Sequence, residues 1–226
     1  VIHPNLMQRE ALENISHLRN EGKNKALLIS ATGTGKTYLS AFDVQKFKPK
    51  KFLFIVHRRT IAEEAMKTFK RLLGDHIKMG IYSGSDRDVE ADYLFSTVQT
   101  ISKQEHLDVF GSDHFDYIVI DETHRAGATS YIRIMDFFKP KFMLGMTATP
   151  ERTDGADIFK MFDYNIAYEI RLHRALEEEM LCPFHYYGVT DLTINGEEID
   201  DQTEFNKLFA KERVDHILLN AKRYGC

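Results

Sequence analysis

No stretch of this sequence approaches the roughly 18 consecutive apolar residues that a membrane-spanning helix requires, so no transmembrane span is expected. Cysteine is nearly missing: Cys182 and Cys226 are too few for a disulfide framework and are spaced for no zinc site. A reducing cytoplasm is the expected setting. The beginning, Val1-Ile2-His3-Pro4-Asn5, shows neither the basic stretch nor the apolar core of a secretion signal. It also lacks an initiating methionine, as a piece excised from a longer polypeptide would. A large excess of either charge is missing too. The formal net charge is −4, so any nucleic-acid contact must come from a local basic patch. No internal repeat or low-complexity tract is present. What is there is ordinary for a globular protein, with 43% apolar and 28% charged residues. Its 226 residues suffice for one large α/β domain, or for one domain and a fragment of another.

The chain is organised around Ala31-Thr32-Gly33-Thr34-Gly35-Lys36-Thr37. An apolar run, Ala26 to Ser30, leads in, and a helical pattern from Tyr38 to Phe47 leads out. Strand, glycine-rich turn and helix in that order form the setting of a phosphate-binding loop. The glycines let backbone N–H groups curl inward toward phosphate oxygens, and the helix start adds its partial positive charge. Lys36 can reach the β- and γ-phosphates, and the Thr37 hydroxyl can ligate Mg²⁺. Ser30 stands where the strict G-x-x-x-x-G-K-[ST] pattern has glycine. The bland alternative is a glycine-rich turn with a solvated lysine.

Upstream, apolar Leu6, Ala11, Leu12, Ile15 and Leu18 predict an amphipathic helix over Asn5 to Arg19. Gln8 lies in its first turn, where its amide can face a base edge or simply be solvated. Downstream, Lys51 to Val56 reads as a buried strand ending in His57-Arg58-Arg59. Thr60-Ile-Ala-Glu63 then has the spacing of a capping box opening a helix that closes at Gly74. Ile77 to Ile81 is a weaker strand candidate, followed by a Ser83-Gly84-Ser85 turn and a polar, helix-like stretch. Tyr93 to Phe95 reads as a strand ending in Ser96-Thr97-Val98-Gln99-Thr100, whose side chains can hold a phosphodiester or cap a helix. Gly111 to Phe115 is a loop. Tyr117 to Ile120 has the continuous apolar character of a strand covered on both faces. It ends in Asp121-Glu122-Thr123-His124, and paired carboxylates at a buried strand end are costly unless a cation or a reaction needs them. Asp121 would help hold Mg²⁺, and Glu122 would orient or deprotonate an attacking water; capping of a helix is the alternative. Ser130 to Phe138 is helical, and Lys141 to Met146 is a strand ending in Thr147-Ala148-Thr149-Pro150. Beyond it come a short helix at Ile158 to Phe162 and a short strand at Ile166 to Tyr168. A helical, acidic stretch at Leu172 to Met180, an extended segment at Pro183 to Val189 and a helical pattern from Glu204 to Tyr224 follow. Five strand-like runs with polar residues at their ends argue for a parallel α/β sheet with helices on both faces.

The ordered set A-T-G-T-G-K-T, V-H-R-R, S-T-V-Q-T, D-E-T-H and T-A-T-P resembles superfamily 2 helicases and translocases of the DEAD/DEAH type. Within them it is similar to the DNA-dependent branch of restriction-enzyme motor subunits, type III Res included. The resemblance runs from about residue 3 to 190. It implies a RecA-like P-loop NTPase fold, ATP and Mg²⁺ as cofactors, and nucleic acid, DNA more than RNA, as partner. It implies that Gln8 reads the adenine and that Thr32, Gly33, Thr34, Gly35, Lys36 and Thr37 cradle the phosphates. Asp121 and Glu122 would be the metal-holding and water-activating pair. His57, Arg58, Thr97 and Gln99 would grip one strand through its phosphates. His124, Thr147 and Thr149 would couple hydrolysis to movement. Glu64 stands where related sequences often carry Gln, and a carboxylate there does not favour a phosphate.

Such motors use a second RecA-like lobe carrying arginine fingers in a Q-x-x-G-R-x-x-R stretch, which does not occur here. The expectation is therefore a first lobe over residues 1–170, then a linker or the start of a second lobe over 171–226. An isolated lobe of this kind is expected to be nearly inactive as an ATPase. Two other classes share the phosphate loop: a P-loop phosphotransferase, and a nucleotide-gated scaffold without turnover. A phosphotransferase would not require S-T-V-Q-T or T-A-T-P after successive strands, and nucleic-acid-stimulated ATPase separates the motor from both.

Overall fold

In the computed structural model, residues 2–123, 129–148 and 158–170 are described here, all within the unit Val1–Leu181. His124, Thr149 and residues 171–226, with the elements expected there, lie outside them.

Eight strands form one sheet: β1 (Lys25–Ser30), β2 (Phe52–Val56), β3 (Met79–Ser83), β4 (Asp86–Arg87), β5 (Tyr93–Thr97), β6 (Tyr117–Asp121), β7 (Phe142–Thr147) and β8 (Ile166–Ile170). Their order across the sheet is β4-β3-β5-β2-β6-β7-β1-β8. Every pairing is parallel except that of the two-residue β4 with β3. Around it lie α1 (Leu6–Asn20), α2 (Lys36–Phe47), α3 (Arg59–Leu73), α4 (Val98–Ile101), α5 (Gln104–Leu107), α6 (Thr129–Phe137) and α7 (Ile158–Met161).

Alternation along the strands divides the core in two. Leu28, Phe52, Phe54, Phe95, Val119 and Leu144 point to one face, where Met7, Ile15, Leu39, Val44 and Phe69 of α1, α2 and α3 cover them. Leu27, Leu53, Ile55, Leu94, Ile118 and Ile120 point to the other, with Ile101, Leu107, Ile134 and Ile158 of the later helices. A strand covered on both sides has no solvent face, and β2 is buried at all five positions.

Two expectations are corrected. The capping box at Thr60 does not form: α3 begins at Arg59, with Arg58 as an extended N-cap lacking a side-chain cap bond. Arg59 donates to Glu63 at 2.8 Å, to Asp86 at 2.5 Å and to the carbonyl of Ser83 at 3.1 Å. Anchored to the β3–β4 turn, Arg59 brings the helix start forward and takes the carboxylate that Thr60 would have shared. The polar stretch after Ser85 is not helical but a hairpin. Gly84 turns it at φ +63°, and the Asp88 carboxylate accepts from the backbone N–H of Ile81 at 3.0 Å. Asp88 packs so tightly over Gly80 that a Cβ there would lie 2.4 Å from the Asp88 Cβ. Among the described residues no helix is long and apolar enough to cross a membrane.

Candidate nucleotide and nucleic-acid site

The carboxyl ends of the parallel strands share one edge, where open α/β sheets bind ligands. Between β1 and α2 the chain curls through Gly33 (φ +88°) and Gly35 (φ +84°), conformations that L side chains resist. Gly35 has a steric reason as well, because a Cβ there would meet Gln8 Nε2 at 2.8 Å. The loop closes on itself: Thr34 Oγ1 lies 2.5 Å from Ser30 Oγ and donates to the carbonyl of Ala31 at 2.7 Å. Lys36 Nζ donates to the carbonyls of Ser30 (2.9 Å) and Ala31 (3.3 Å), so the ammonium sits inside the curl. Thr32 and Gly33 are exposed, and Thr37 is half-buried in the first turn of α2.

Gln8 is buried, not solvated. It occupies the third position of α1 and completes a capping box with Asn5: its backbone N–H donates to Asn5 Oδ1 at 2.8 Å, while its Oε1 accepts from the Asn5 N–H at 3.0 Å. Its Nε2 donates to the carbonyl of Gly35 at 3.1 Å. An amide has two lone pairs and two N–H bonds, so one of each is left over. The Asn5-x-x-Gln8 spacing is the sequence signal for this box.

Asp121 ends β6, two strands away from the loop. Register carries Asp121 across to Met146 of β7, and Met146 to Leu28 of β1, a span of about 10 Å at ordinary strand spacing. Asp121 and Glu122 are close enough to Lys36 to bear on its protonation. Burial holds the Lys36 ammonium below its ordinary value, with Asp121 and Glu122 pulling it back up. Burial raises the Asp121 carboxyl from 3.8 to about 6, Lys36 opposing and Glu122 reinforcing the rise. Glu122 adopts φ +59°, a sparsely populated conformation for a non-glycine residue, and its N–H donates to Asp121 Oδ1 at 3.0 Å. Thr123, fully buried, fixes this bend by donating to the carbonyl of Met146 at 3.1 Å; nothing in the sequence reading marked it. Thr147 is buried at the end of β7, in register with Ile29.

The nucleic-acid candidates lie on the neighbouring strand ends. Val56 of β2 is in register with Thr97 of β5, so His57 and Arg58 emerge beside Thr97, Val98 and Gln99. Arg58 and Gln99 are exposed and His57 is half-buried. Thr97 is buried, its hydroxyl 2.9 Å from Ser83 Oγ and 3.0 Å from Thr100 Oγ1. Glu64 is exposed and paired with Lys67 at 2.7 Å.

The chain is similar over nearly its whole length to curated proteins. The type I restriction enzyme EcoAI endonuclease subunit of Escherichia coli is 29% identical over 93% of this chain and 29% of its own length. A protein of Saccharomyces cerevisiae named as an ATP-dependent helicase, IRC3, is 28% identical over 94% of this chain and 33% of its own. The chain thus spans about a third of the curated relatives it matches. A solved nuclease-deletion mutant of the type ISP restriction-modification enzyme LlaGI shares the fold with a TM-score of 0.61, at 19% identity, over 79% of this chain and 21% of that one. The sheet and its flanking helices have the RecA-like fold. A match to the family described as type III restriction enzyme, res subunit, spans residues 1–152, and the chain belongs to that family.

Proposed function

We propose that this chain carries the ATP-binding lobe of a nucleic-acid-dependent ATPase that couples hydrolysis to movement along DNA, and that residues 1–170 form the first RecA-like lobe. The observation that carries this is that strand register puts Lys36, Asp121 and Glu122 on the same sheet edge as an exposed basic strand end. Lys36 would exchange two loop carbonyls for phosphate oxygens, and the backbone N–H groups of residues 32–37 would complete the cradle. A divalent cation fits the acidic tip: Asp121 is a carboxylate whose anion is penalised by burial and by Glu122. Asp121 and Thr37 would hold Mg²⁺, which would supply charge neutralisation on the phosphates. Glu122, held at an angle by its own backbone and by Thr123, would orient the attacking water. The unused lone pair and N–H of Gln8 match the N6 donor and N7 acceptor of adenine.

Arg58 and Gln99 would contact the phosphodiester backbone, with His57 and Thr97 shaping the groove between them. Thr147, with His124 and Thr149, would transmit nucleotide state to that groove. DNA is favoured as the track because relatives are named as restriction enzymes and the LlaGI structure was solved with a DNA substrate mimic. The arginine fingers of a second lobe would contribute about 10³ to 10⁵ in rate, so residues 1–226 alone would turn over ATP extremely slowly in the cytoplasm where the motor works. The test is ATPase of the full-length protein against single- and double-stranded DNA and RNA at stated salt, with Lys36→Ala as control. Strong stimulation by DNA, lost in that variant, is expected. Turnover without stimulation would favour a phosphotransferase, and binding without turnover a nucleotide-gated scaffold.

A further inference from the structure

The far end of the sheet carries a buried ion pair that the chemistry above does not use. Arg19, in the last turn of α1, is bonded to the fully buried Asp43 of α2. Tyr117, the first residue of β6, donates to the same carboxylate oxygen at 2.5 Å. The Arg19 guanidinium lies among three rings, 4.4 Å from the centroid of Phe142, 4.8 Å from Phe47 and 5.3 Å from Tyr117. The cluster is not built for stability. Asp43 Oδ1 and Arg19 Nε are buried with no hydrogen-bond partner among the described residues, and each such atom costs stability. Burial pushes the Asp43 carboxyl up in spite of Arg19 and Tyr117. Apolar side chains of similar volume would serve the core as well or better.

What distinguishes the cluster is which elements it joins. α1 presents Gln8 to the loop about 16 Å away, eleven residues of helix. α2 begins with Lys36, about 10 Å from Asp43. β6 ends with Asp121, about 13 Å from Tyr117. The three elements that carry the candidate nucleotide groups at one end are therefore tied to a single carboxylate at the other. An apolar interface tolerates sliding and rotation, whereas a directional ion pair with a hydroxyl donor admits one register. We infer that Arg19, Asp43 and Tyr117 are positioning residues that fix the register of α1, α2 and β6, and so the spacing of Gln8, Lys36 and Asp121.

This rests on the nucleotide reading of the edge, and the experiment separates the two. In the full-length protein, Tyr117→Phe and the triple variant Arg19→Met, Asp43→Leu, Tyr117→Phe are compared with wild type. The melting temperature, the Kd for Mg·ADP, and KM and kcat for ATP are measured. The triple variant should melt at or above the wild-type temperature yet bind nucleotide about three- to tenfold more weakly, with KM rising more than kcat falls. Tyr117→Phe, which keeps the ring and removes one donor, should move Kd the same way by about threefold. Wild-type Kd in Tyr117→Phe, with or without a lower melting temperature, overturns the positioning role, and it decides the matter if the triple variant does not fold. Failure of the wild type to bind nucleotide, or an unchanged Kd in Lys36→Ala, would instead remove the nucleotide reading itself.

Discussion

The two halves of the sheet's carboxyl edge are made from similar residues and arranged in opposite ways. At the β6–β7–β1 end, the charges are half-buried and turned inward: Lys36 into its own loop, Asp121 beside Glu122. At the β2–β5 end, the cation and the amide, Arg58 and Gln99, stand in solvent, while the hydroxyls of Ser83, Thr97 and Thr100 bond among themselves. A desolvated site strengthens electrostatics and suits tight capture of a polyphosphate that must be cut. A solvated one gives weak, salt-sensitive contacts that can be released and remade, which suits a track. Strain follows the same division: among the described residues, the left-handed non-glycine residue at this edge is Glu122, in the half-buried part.

The sharpest way to break the comparison is to disable the half-buried part while leaving the open one intact. Lys36→Ala should abolish nucleotide binding. Glu122→Gln should keep ATP binding while lowering kcat by about 10² to 10⁴, the usual worth of a positioned base. DNA binding without nucleotide should survive both changes. Loss of ATP binding in Glu122→Gln would reassign Glu122 to holding the bend after β6.

A second way uses pH. Because the folded protein holds the Asp121 carboxyl at about 6 against an ordinary 3.8, its anion opposes folding. That penalty is complete above about pH 6 and fades as pH falls toward 3.8. Asp121→Asn should therefore raise the melting temperature of the nucleotide-free protein by a few degrees at pH 7 to 8, with little difference near pH 4, while Mg²⁺-dependent nucleotide binding is lost. A lower melting temperature at pH 8 would mean that Lys36 stabilises the carboxylate more than burial penalises it.

In the open half, Arg58→Ala should weaken nucleic-acid binding several-fold. It should do so about equally across sequences, and it should reduce the salt slope by about one. ATPase without nucleic acid should not change. A change confined to particular sequences would make Arg58 a base reader.

The same contrast governs what could be read from the sequence. β1, β2, β6 and β7 are continuous apolar runs because both their faces are covered, and such runs stand out against any flank. The tips of these strands were legible with them, since an acidic pair or a glycine-rich turn has few other reasons to follow a buried strand. β4 was not legible. It is two polar residues whose pairing depends on Gly84 and on an Asp88 bond to Ile81. The start of α3 was misplaced because the partner that decides it, Asp86, is 27 residues away from Arg59. Local spacing offered Thr60 and Glu63 an equally good capping box. Gln8 shows the reverse case: local spacing held the answer, and the distant contact to Gly35 explains why the residue is buried.

The smallest expected effect separates the hydroxyls of the open half from its charged groups. Thr97 was expected to touch phosphate, yet its hydroxyl is already engaged with Ser83 and Thr100 in a buried position. Removing it in Thr97→Val leaves both partners short of a bond, a cost of about 1–2 kcal/mol in stability. Thr97→Ser keeps the hydroxyl and gives up one methyl, a cost of about 1 kcal/mol or less. If Thr97 acts by shaping the groove, Val should lower the melting temperature, and nucleic-acid affinity should fall no more than about twofold at fixed salt, with Ser close to wild type in both. A loss of affinity in Val as large as that in Arg58→Ala, with the melting temperature unchanged, would show the hydroxyl leaving its partners for the backbone. The open half would then be pre-satisfied in the same manner as the Lys36 loop, and the contrast between the two halves would reduce to charge.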